Sequence, residues 1–393
     1  MINSTSIKLK DSYDTFLVTL VLNINALRVL LGVAETNILL YMLYFVTIAV
    51  LLAKYNKEIP KMLSNNTSVK RIFFFILYIL SFSAISLVWS TYDNAPVTFL
   101  KFLTALFLSF LCLFFPIARI YILKNLFVSF NILYGIYCVL FPSRIFNLYE
   151  LGLNYLNVTL TLGLSFCITL ISFVKAYFEN KFKSMILWVG LSAFFFFVLT
   201  GFLARGVMIF PPIIMFVLTL FMGKKHSVKT LLIVGVLAIV IFFVSQLFMD
   251  MVGDYGAARM MRLFEETEDE NRVELWDICY RIMMDNMWYV FGGGIEAFRS
   301  SYFYPHNIFM HILGEFGIVP LSIFVYMLYA IFKNFISSQL KFNTNERDAL
   351  FFVIAGILYY LMTFSKSFSM YDALPLYMMM ALAFPFSQRS KTS

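Results

Sequence analysis

Charged residues are scarce in this sequence: Asp, Glu, Lys and Arg make up 13% of its 393 residues, whereas soluble domains carry roughly 25%. Hydrophobic residues make up 61%, and phenylalanine alone occurs 47 times. A soluble fold of this length has no core large enough for so much apolar surface, so lipid is expected to be the solvent for most of it. The composition therefore excludes an ordinary soluble domain and indicates a membrane protein.

Cysteine and histidine are also rare, with four and three copies. Three cysteines lie in apolar segments and Cys279 in a polar one, a spacing that suits neither a disulfide framework nor a zinc site. His306 and His311 are five residues apart, and no acids or cysteines cluster with them. We therefore expect neither a metal ion nor another cofactor. The formal charge of +8 is better explained by membrane topology than by nucleic-acid binding.

Apolar segments recur along the chain, and most are close to the roughly 20 residues that a helix needs to cross a bilayer. They run without polar alternation, which predicts helices and excludes membrane-spanning strands. We predict an all-α polytopic membrane protein of about 12 transmembrane helices. The predicted spans are 15–34, 36–53, 72–91, 97–115, 119–141, 154–174, 185–204, 207–222, 230–249, 307–332, 348–364 and 373–387.

The basic residues follow the positive-inside rule. With a cytoplasmic N-terminus and alternating spans, 20 of the 30 Lys and Arg fall in inner loops or at the two termini. Both termini are then cytoplasmic. This topology divides the chain into helices 1 to 9 over residues 1–249, one large outer loop over 250–305, and helices 10 to 12 with the C-terminus over 306–393.

The predicted outer loop differs from every other connection, because it holds 11 of the 22 acids and no apolar run of span length. Its second half, from Arg272 to Met287, predicts an amphipathic helix, since apolar residues recur at three- and four-residue spacing from Trp276 to Met283. One face of this helix is expected to lie on the membrane surface. The glycines 292–294 predict a tight turn rather than a phosphate loop, since no Lys-Ser or Lys-Thr follows.

Ten cations fall on the predicted outer side, where the rule expects few. Many such cations only snorkel at helix ends or lie in solvent, so each is no more than a candidate for binding. Arg205 stands out because it lies between two apolar segments, where an arginine fixed at the membrane surface suits a phosphate or diphosphate group. The others are Arg28, Lys101, Arg144, Arg259, Arg262, Arg272, Arg281, Arg299 and Lys366.

The order of these features resembles the O-antigen ligase and polymerase superfamily of integral-membrane glycosyltransferases, most closely a Wzy-type O-antigen polymerase. The resemblance is carried by LARG, which contains Arg205, and by NRVELWDICYRIMMDNMWYVFGGGIEAFRSSYFYPHNIFMHILGEFGIVPL, which begins at Asn271. It covers roughly residues 195–325. Two positions depart from the family pattern: Asp285-Asn286-Met287-Trp288 stands where Asn-Pro is common, and Ala204 stands where a Ser or Thr often precedes the arginine.

The resemblance implies a GT-C-like fold in a bacterial inner membrane, with sugar transfer from undecaprenyl diphosphate at the periplasmic face. It implies that Arg205 and Arg272 bind the donor diphosphate and stabilise charge on the leaving group. His306 would accept the proton of the attacking sugar hydroxyl or orient that hydroxyl. The residues then expected to bind or shape the site for substrate are Asn307, Trp276, Gly292, Gly294, Lys101, Lys366 and Arg28.

The preferred function is that of an O-antigen polymerase, which joins repeat units carried on undecaprenyl diphosphate and has a chain-length-regulating co-polymerase as a candidate partner. The Pro-His-Asn-Ile-Phe stretch that runs into Gly-Glu-Phe-Gly favours this choice. The alternative is an O-antigen ligase, which uses the same donor but transfers the glycan to lipid A-core. A flippase for lipid-linked oligosaccharides is a third hypothesis; such transporters place charged or broken-helix sites near the bilayer midplane, and few charges lie mid-span here.

Overall fold

The computed structural model describes residues 12–33, 37–141, 155–202, 205–222, 267–300, 305–338 and 342–392, and every regular element within these ranges is helical. Eight helices among the described residues are long and apolar enough to cross a membrane, or nine if one bent pair is counted as a single span. The prediction of an all-α polytopic membrane protein is confirmed. The predicted span 230–249 lies outside the described residues.

The helices are numbered here in chain order. The first ten are α1 (Tyr13–Leu22), α2 (Ile24–Leu31), α3 (Ile38–Tyr55), α4 (Glu58–Asn65), α5 (Thr67–Ser86), α6 (Ala95–Cys112), α7 (Ile117–Leu140), α8 (Tyr155–Phe178), α9 (Phe182–Thr200) and α10 (Arg205–Met222). The rest are α11 (Thr267–Asp285), α12 (Trp288–Phe291), α13 (Ala297–Ser300), α14 (Ile308–Phe316), α15 (Ile318–Ser338), α16 (Thr344–Phe364), a 3₁₀ helix (Met370–Asp372), α17 (Leu374–Leu382) and α18 (Phe384–Thr392).

The first predicted span is broken in the structure, because α1 and α2 meet at Asn23 with a bend of 81°. Asn23 is fully buried, and its Oδ1 accepts a hydrogen bond of 2.7 Å from the Asn131 side chain. Its own amide donates to the carbonyl oxygen of Thr19 at 2.8 Å. These bonds give the polar atoms of the buried Asn23 side chain partners at the break, where an unsatisfied polar group is costly.

Two later predicted spans are also divided. The segment 307–332 breaks at Gly317, whose φ of +85° is incompatible with a continuing helix. The segment 373–387 is divided at Ala383 into two short helices, and the apolar run of α10, Gly206–Phe221, is shorter than the helices that count as spans. A hydropathy window does not register such breaks, since one residue barely changes its mean.

Contacts group the chain into two compact units, and the first comprises Met1–Val50, Pro116–Leu263 and Asn343–Tyr359. Its central helix is α8, which packs against α2, α7, α9 and α10. Lys124 lies within α7 and pairs with Asp348 at 3.8 Å. Asp348 also pairs with Lys175 near the end of α8. This ion-pair cluster joins three helices of the first unit.

The second unit comprises Leu51–Phe115, Phe264–Phe342 and Tyr360–Ser393. Within it α6 packs against α17, α14 packs against α12 and α15, and α18 packs against α15. The unit therefore joins the described part of the predicted outer loop to membrane helices. The division at residues 249 and 305 concerned topology rather than packing, and it stays a prediction.

Candidate functional site

The glycine turn lies in the second unit, against the end of α14. Gly292 and Gly294 adopt left-handed φ values of +80° and +93°, which confirms the predicted turn. The backbone N–H of Gly293 donates to the carbonyl oxygen of Gly314 at 2.7 Å, and the backbone N–H of Gly294 donates to the backbone carbonyl oxygen of Glu315 at 3.0 Å. These bonds satisfy helix-end carbonyls that lack partners inside α14. A Cβ on Gly292 would lie 2.5 Å from the Glu315 carbonyl oxygen, so a side chain does not fit there.

The other side of the turn is fixed by the end of α5. The indole N–H of Trp89 donates to the carbonyl oxygen of Gly293 at 3.0 Å. The Ser86 hydroxyl oxygen accepts from the N–H of Ile295 at 2.9 Å, and the Ser90 hydroxyl donates to the carbonyl oxygen of Ile295 at 3.1 Å. The turn is thus bound to two helix ends through its backbone.

Glu315, in the last turn of α14, is the centre of a buried polar cluster. It is fully buried, and its carboxylate accepts hydrogen bonds from His311 Nε2 at 2.9 Å, from the backbone N–H of Glu296 at 3.1 Å and from the Tyr371 hydroxyl. His311 Nδ1 accepts from the N–H of Met370 at 3.4 Å, so the neutral ring carries its proton on Nε2. The Glu315 carboxylate therefore bonds to three parts of the chain: α14, the 3₁₀ helix and the second residue after the glycine turn.

Glu296 is the second acid of this cluster and is also buried. It accepts a hydrogen bond of 2.9 Å from the Thr98 hydroxyl of α6, and its Oε2 lies 3.4 Å from Nε of Arg299. Burial, together with the charge of Glu315, raises the pKa of Glu296, although Arg299 acts in the opposite sense. Its φ of +57° is left-handed, which is uncommon for a residue other than glycine. Strain and a perturbed buried acid are features that concentrate at functional sites.

Tyr371 supplies a proton to the cluster rather than a charge. Burial, followed by the charges of Glu315 and Glu296, raises its pKa well above the usual value. The phenol therefore stays protonated and donates to the Glu315 carboxylate.

The structure distinguishes the two histidines of this region. His311 is 1% exposed and both of its ring nitrogens are engaged within the cluster, which is a structural role. His306 is exposed and precedes α14 with a left-handed φ of +48°. Of the two, His306 is the one that a substrate in solvent or at the membrane surface can reach.

Both neighbours of His306 are held in place. Asn307 is the N-cap of α14, and its side-chain oxygen accepts from the N–H groups of Phe309 and Met310 at 3.0 and 3.2 Å. The indole N–H of Trp276, on α11, donates to the carbonyl oxygen of Pro305 at 2.8 Å. Contacts of Asn307 and Trp276 with a substrate stay predictions, while their described role is to fix the chain on either side of His306.

The amphipathic helix α11 was expected to lie with one face on the membrane surface, but part of that face packs within the protein. Its residues Cys279 and Met283 are buried in a cluster with Phe298, and Trp288 packs against the same cluster. Two residues of the predicted face are therefore covered by the protein and not by the membrane surface, while Tyr280 of the same face is 54% exposed. Periodicity showed that one side of the helix would be buried, but it carried no information on what would cover it.

The cations predicted to bind substrate are distributed over both units. Lys101 is half-buried on α6, one turn after Thr98, and Lys366 is exposed beyond the end of α16. In the first unit Arg28 is buried on α2, and its guanidinium contacts the Asn25 side chain at 3.4 Å.

The two arginines expected to bind diphosphate lie in different units. Arg205, predicted to lie between two spans, is the first residue of α10, and Arg272 lies in the first half of α11. The described structure covers the backbone of both and the side chain of neither. Where side chains are described, no three His, Cys, Asp or Glu group together as candidate metal ligands. The expectation of a metal-independent site remains a prediction.

Glu296, Glu315 and Tyr371 were not among the site residues predicted from the sequence. One signal was present for Glu315: His311 and Glu315 lie four residues apart in an otherwise apolar helix, where such a pair shares one face. Ionisable residues in an apolar segment are costly and point to function. Glu296 and Tyr371 had no such signal, because their partners are distant in sequence.

A sequence model described as O-antigen ligase matches residues 188–325. A search of curated proteins finds no relative that matches this chain. The matched segment runs from α9 to the first part of α15 and includes the glycine turn. It contains all three residues predicted to be catalytic and three members of the buried cluster, namely Arg205, Arg272, Glu296, His306, His311 and Glu315.

Proposed function

Because residues 188–325 belong to the O-antigen ligase and polymerase superfamily, we propose that this protein is a membrane glycosyltransferase that lengthens a surface polysaccharide on its lipid carrier. It transfers a glycan from undecaprenyl diphosphate to the sugar end of a second undecaprenyl-diphosphate-linked repeat unit, on the periplasmic side of the inner membrane. One observation carries the proposal: the matched segment holds an accessible His306 between two fixed neighbours. This arrangement is suited to a base that must meet a substrate in one orientation.

The proposed reaction exchanges one bond to the anomeric carbon for another. The acceptor hydroxyl oxygen forms a bond to the anomeric carbon, and the bond between that carbon and the diphosphate oxygen breaks. His306 takes the hydroxyl proton, and undecaprenyl diphosphate leaves with the bonding electron pair. Arg205 and Arg272 stabilise the negative charge that grows on the leaving group. The arginines then supply the positive charge that a metal ion brings in other transferases.

The alternative acceptor is lipid A-core, which would make the protein an O-antigen ligase; the match to the family model is compatible with both acceptors. A ligase shares the donor and the proposed catalytic residues, so only the acceptor separates the two functions. The 81° break between α1 and α2 is an observation in favour of the flippase hypothesis, because transporter sites are often formed by broken helices. The hydrogen bond at that break joins the neutral amides of Asn23 and Asn131, whereas a transporter site is expected to use charged groups. Purified protein supplied only with lipid-linked repeat units tests the proposal directly.

The proposed orientation predicts that α11 is accessible from outside the cell membrane and that the loop between α8 and α9 is not. All four native cysteines are buried, so a single introduced cysteine is expected to give the dominant signal. Cysteine at Glu274, which is exposed on α11, should react with a membrane-impermeant maleimide in cells with a permeabilised outer membrane. Cysteine at Lys181, equally exposed, should react only after the inner membrane is opened. Labelling in the reverse order would contradict the topology and the proposed side of the reaction.

A further inference from the structure

We propose that Arg299 is a further anion-binding residue of the transferase site and that Glu296 is its positioning residue. This inference rests on the proposed function. Its ligand is an oxyanion of the lipid-linked substrate, either a phosphate of the diphosphate or a sugar carboxylate, since both accept two parallel hydrogen bonds from a guanidinium.

Arg299 is held in place and remains accessible. Its side chain is 39% exposed, with Nε 3.4 Å from the Glu296 carboxylate. Its Nη1 donates to the Tyr92 hydroxyl at 3.3 Å, and the guanidinium carbon lies 5.6 Å from the centre of the Tyr92 ring. An arginine constrained by an acid and an aromatic ring loses less freedom when it binds an anion, which favours affinity.

A second ion pair in the predicted outer loop is exposed to solvent and serves as a comparison for the pair of Arg299 and Glu296. Arg281 and Asp277 pair on α11, and their side chains are 72% and 49% exposed. Such surface pairs contribute little to stability. Glu296, by contrast, has a side chain that is 2% exposed, adopts a left-handed φ of +57° and lies beside a second acid, Glu315.

The features of Glu296 oppose folding rather than favour it. Burial of a carboxylate carries a desolvation cost that its ion pair often fails to offset, and a left-handed backbone adds strain. Both features have an explanation if the acid serves to orient Arg299. The same carboxylate is bound by Thr98, and Lys101 follows one turn later on α6, so a second cation lies on that helix face.

The test uses the full-length protein in nanodiscs with an undecaprenyl-diphosphate-linked repeat unit. Arg299→Ala is expected to raise the KM for this substrate about tenfold, as the loss of one charge-assisted contact implies. Because the buried Glu296 also loses its ion-pair partner, the unfolding temperature should fall, and the KM is measured below the unfolding temperature of the variant. Arg299→Lys should recover only part of the loss, and Glu296→Gln should raise the KM while Arg299 is still present. The matched controls Arg281→Ala and Asp277→Asn should leave the KM unchanged.

Two substrates separate the sources of the oxyanion. If Arg299 binds the diphosphate, its removal raises the KM for repeat units of neutral sugars and weakens inhibition by inorganic pyrophosphate. If it binds a sugar carboxylate, its removal raises the KM only for units that contain a uronic acid. If the protein is active and Arg299→Ala leaves the KM for both substrates unchanged, the inference about Arg299 is overturned. The proposed function is unaffected by that result.

Failure of the proposed function gives a different result, namely a wild-type protein that transfers nothing. Direct binding of the uronic-acid-containing lipid-linked unit still tests Arg299 in that case, because this ligand carries both kinds of anion. A lower affinity in Arg299→Ala than in Arg281→Ala supports the inference. Equal affinities of the two variants overturn it.

Discussion

Replacement of His306 by alanine is expected to abolish glycan extension while the protein stays in the membrane at its normal level. His306 is exposed, so its loss removes little packing. A general base contributes about 10²- to 10⁴-fold to the rate. The measurement is the chain length of the surface polysaccharide on a gel, with the protein level followed by immunoblot.

His311 provides the matched comparison, since it lies on the same short stretch of chain and is buried within the cluster. His311→Ala is expected to lower the amount of folded protein, because it leaves the buried Glu315 carboxylate without one of its donors. Normal glycan from His306→Ala would remove that residue from the site. A His306 variant that fails to insert would assign it a structural role instead.

Arg205→Ala and Arg272→Ala are expected to have the same outcome as His306→Ala if both arginines bind the donor diphosphate. Arg272→Lys should recover little activity, because an ammonium group cannot form the two-bond fork of a guanidinium. Near-normal glycan from either alanine variant would exclude that arginine from the reaction.

Glu315→Gln is expected to impair both folding and transfer, although the two side chains have almost the same shape. The Glu315 carboxylate accepts from His311 on one oxygen and from Glu296 N–H and Tyr371 on the other. An amide has one oxygen and one NH₂ group, so at least one buried donor would face another donor. Each unsatisfied buried group costs about 1–3 kcal/mol.

The Cys279 thiol reports on this loss of stability. Cys279 is buried in the cluster that contains Phe298, and the Phe298 ring contacts His311 with centroids 6.1 Å apart. Burial raises the pKa of Cys279 to about 11, so the folded thiol should react slowly with a thiol-specific dye. Glu315→Gln should lower the temperature at which labelling begins. The exposed control Glu274→Gln should not change it, and an unchanged onset for Glu315→Gln would contradict the central role of this carboxylate.

Hydropathy was enough to predict a polytopic helical protein, because it depends on averages over many residues. The breaks at Asn23 and Gly317 depend on single residues and on a partner, Asn131, that lies 108 positions from Asn23. The amphipathic pattern of α11 predicted a buried face correctly. It could not predict that Phe298 and Met283 would meet within the protein instead of at the membrane.

In the candidate site too, residues of a local motif could be predicted from the sequence, and residues joined by long-range contacts could not. Residues such as His306 could be predicted as site candidates because they stand in an ordered motif along the chain. The cluster around Glu315 joins residues 19 and 56 positions apart, and the bond from Thr98 to Glu296 spans 198 positions. Contacts of that separation leave no periodic or local pattern, so only the folded chain brings these groups together.

The most direct test of the proposed polymerase is the transfer reaction of the purified protein with undecaprenyl-diphosphate-linked repeat units and no lipid A-core. A polymerase is expected to give a ladder of longer lipid-linked chains with release of undecaprenyl diphosphate, and the His306→Ala variant is expected to give no ladder. Deletion of the gene should then reduce the surface polysaccharide to a single repeat unit on core. A purified protein that forms product only after lipid A-core is added, and a deletion strain with bare core and long chains retained on the carrier, would contradict the polymerase and establish the ligase.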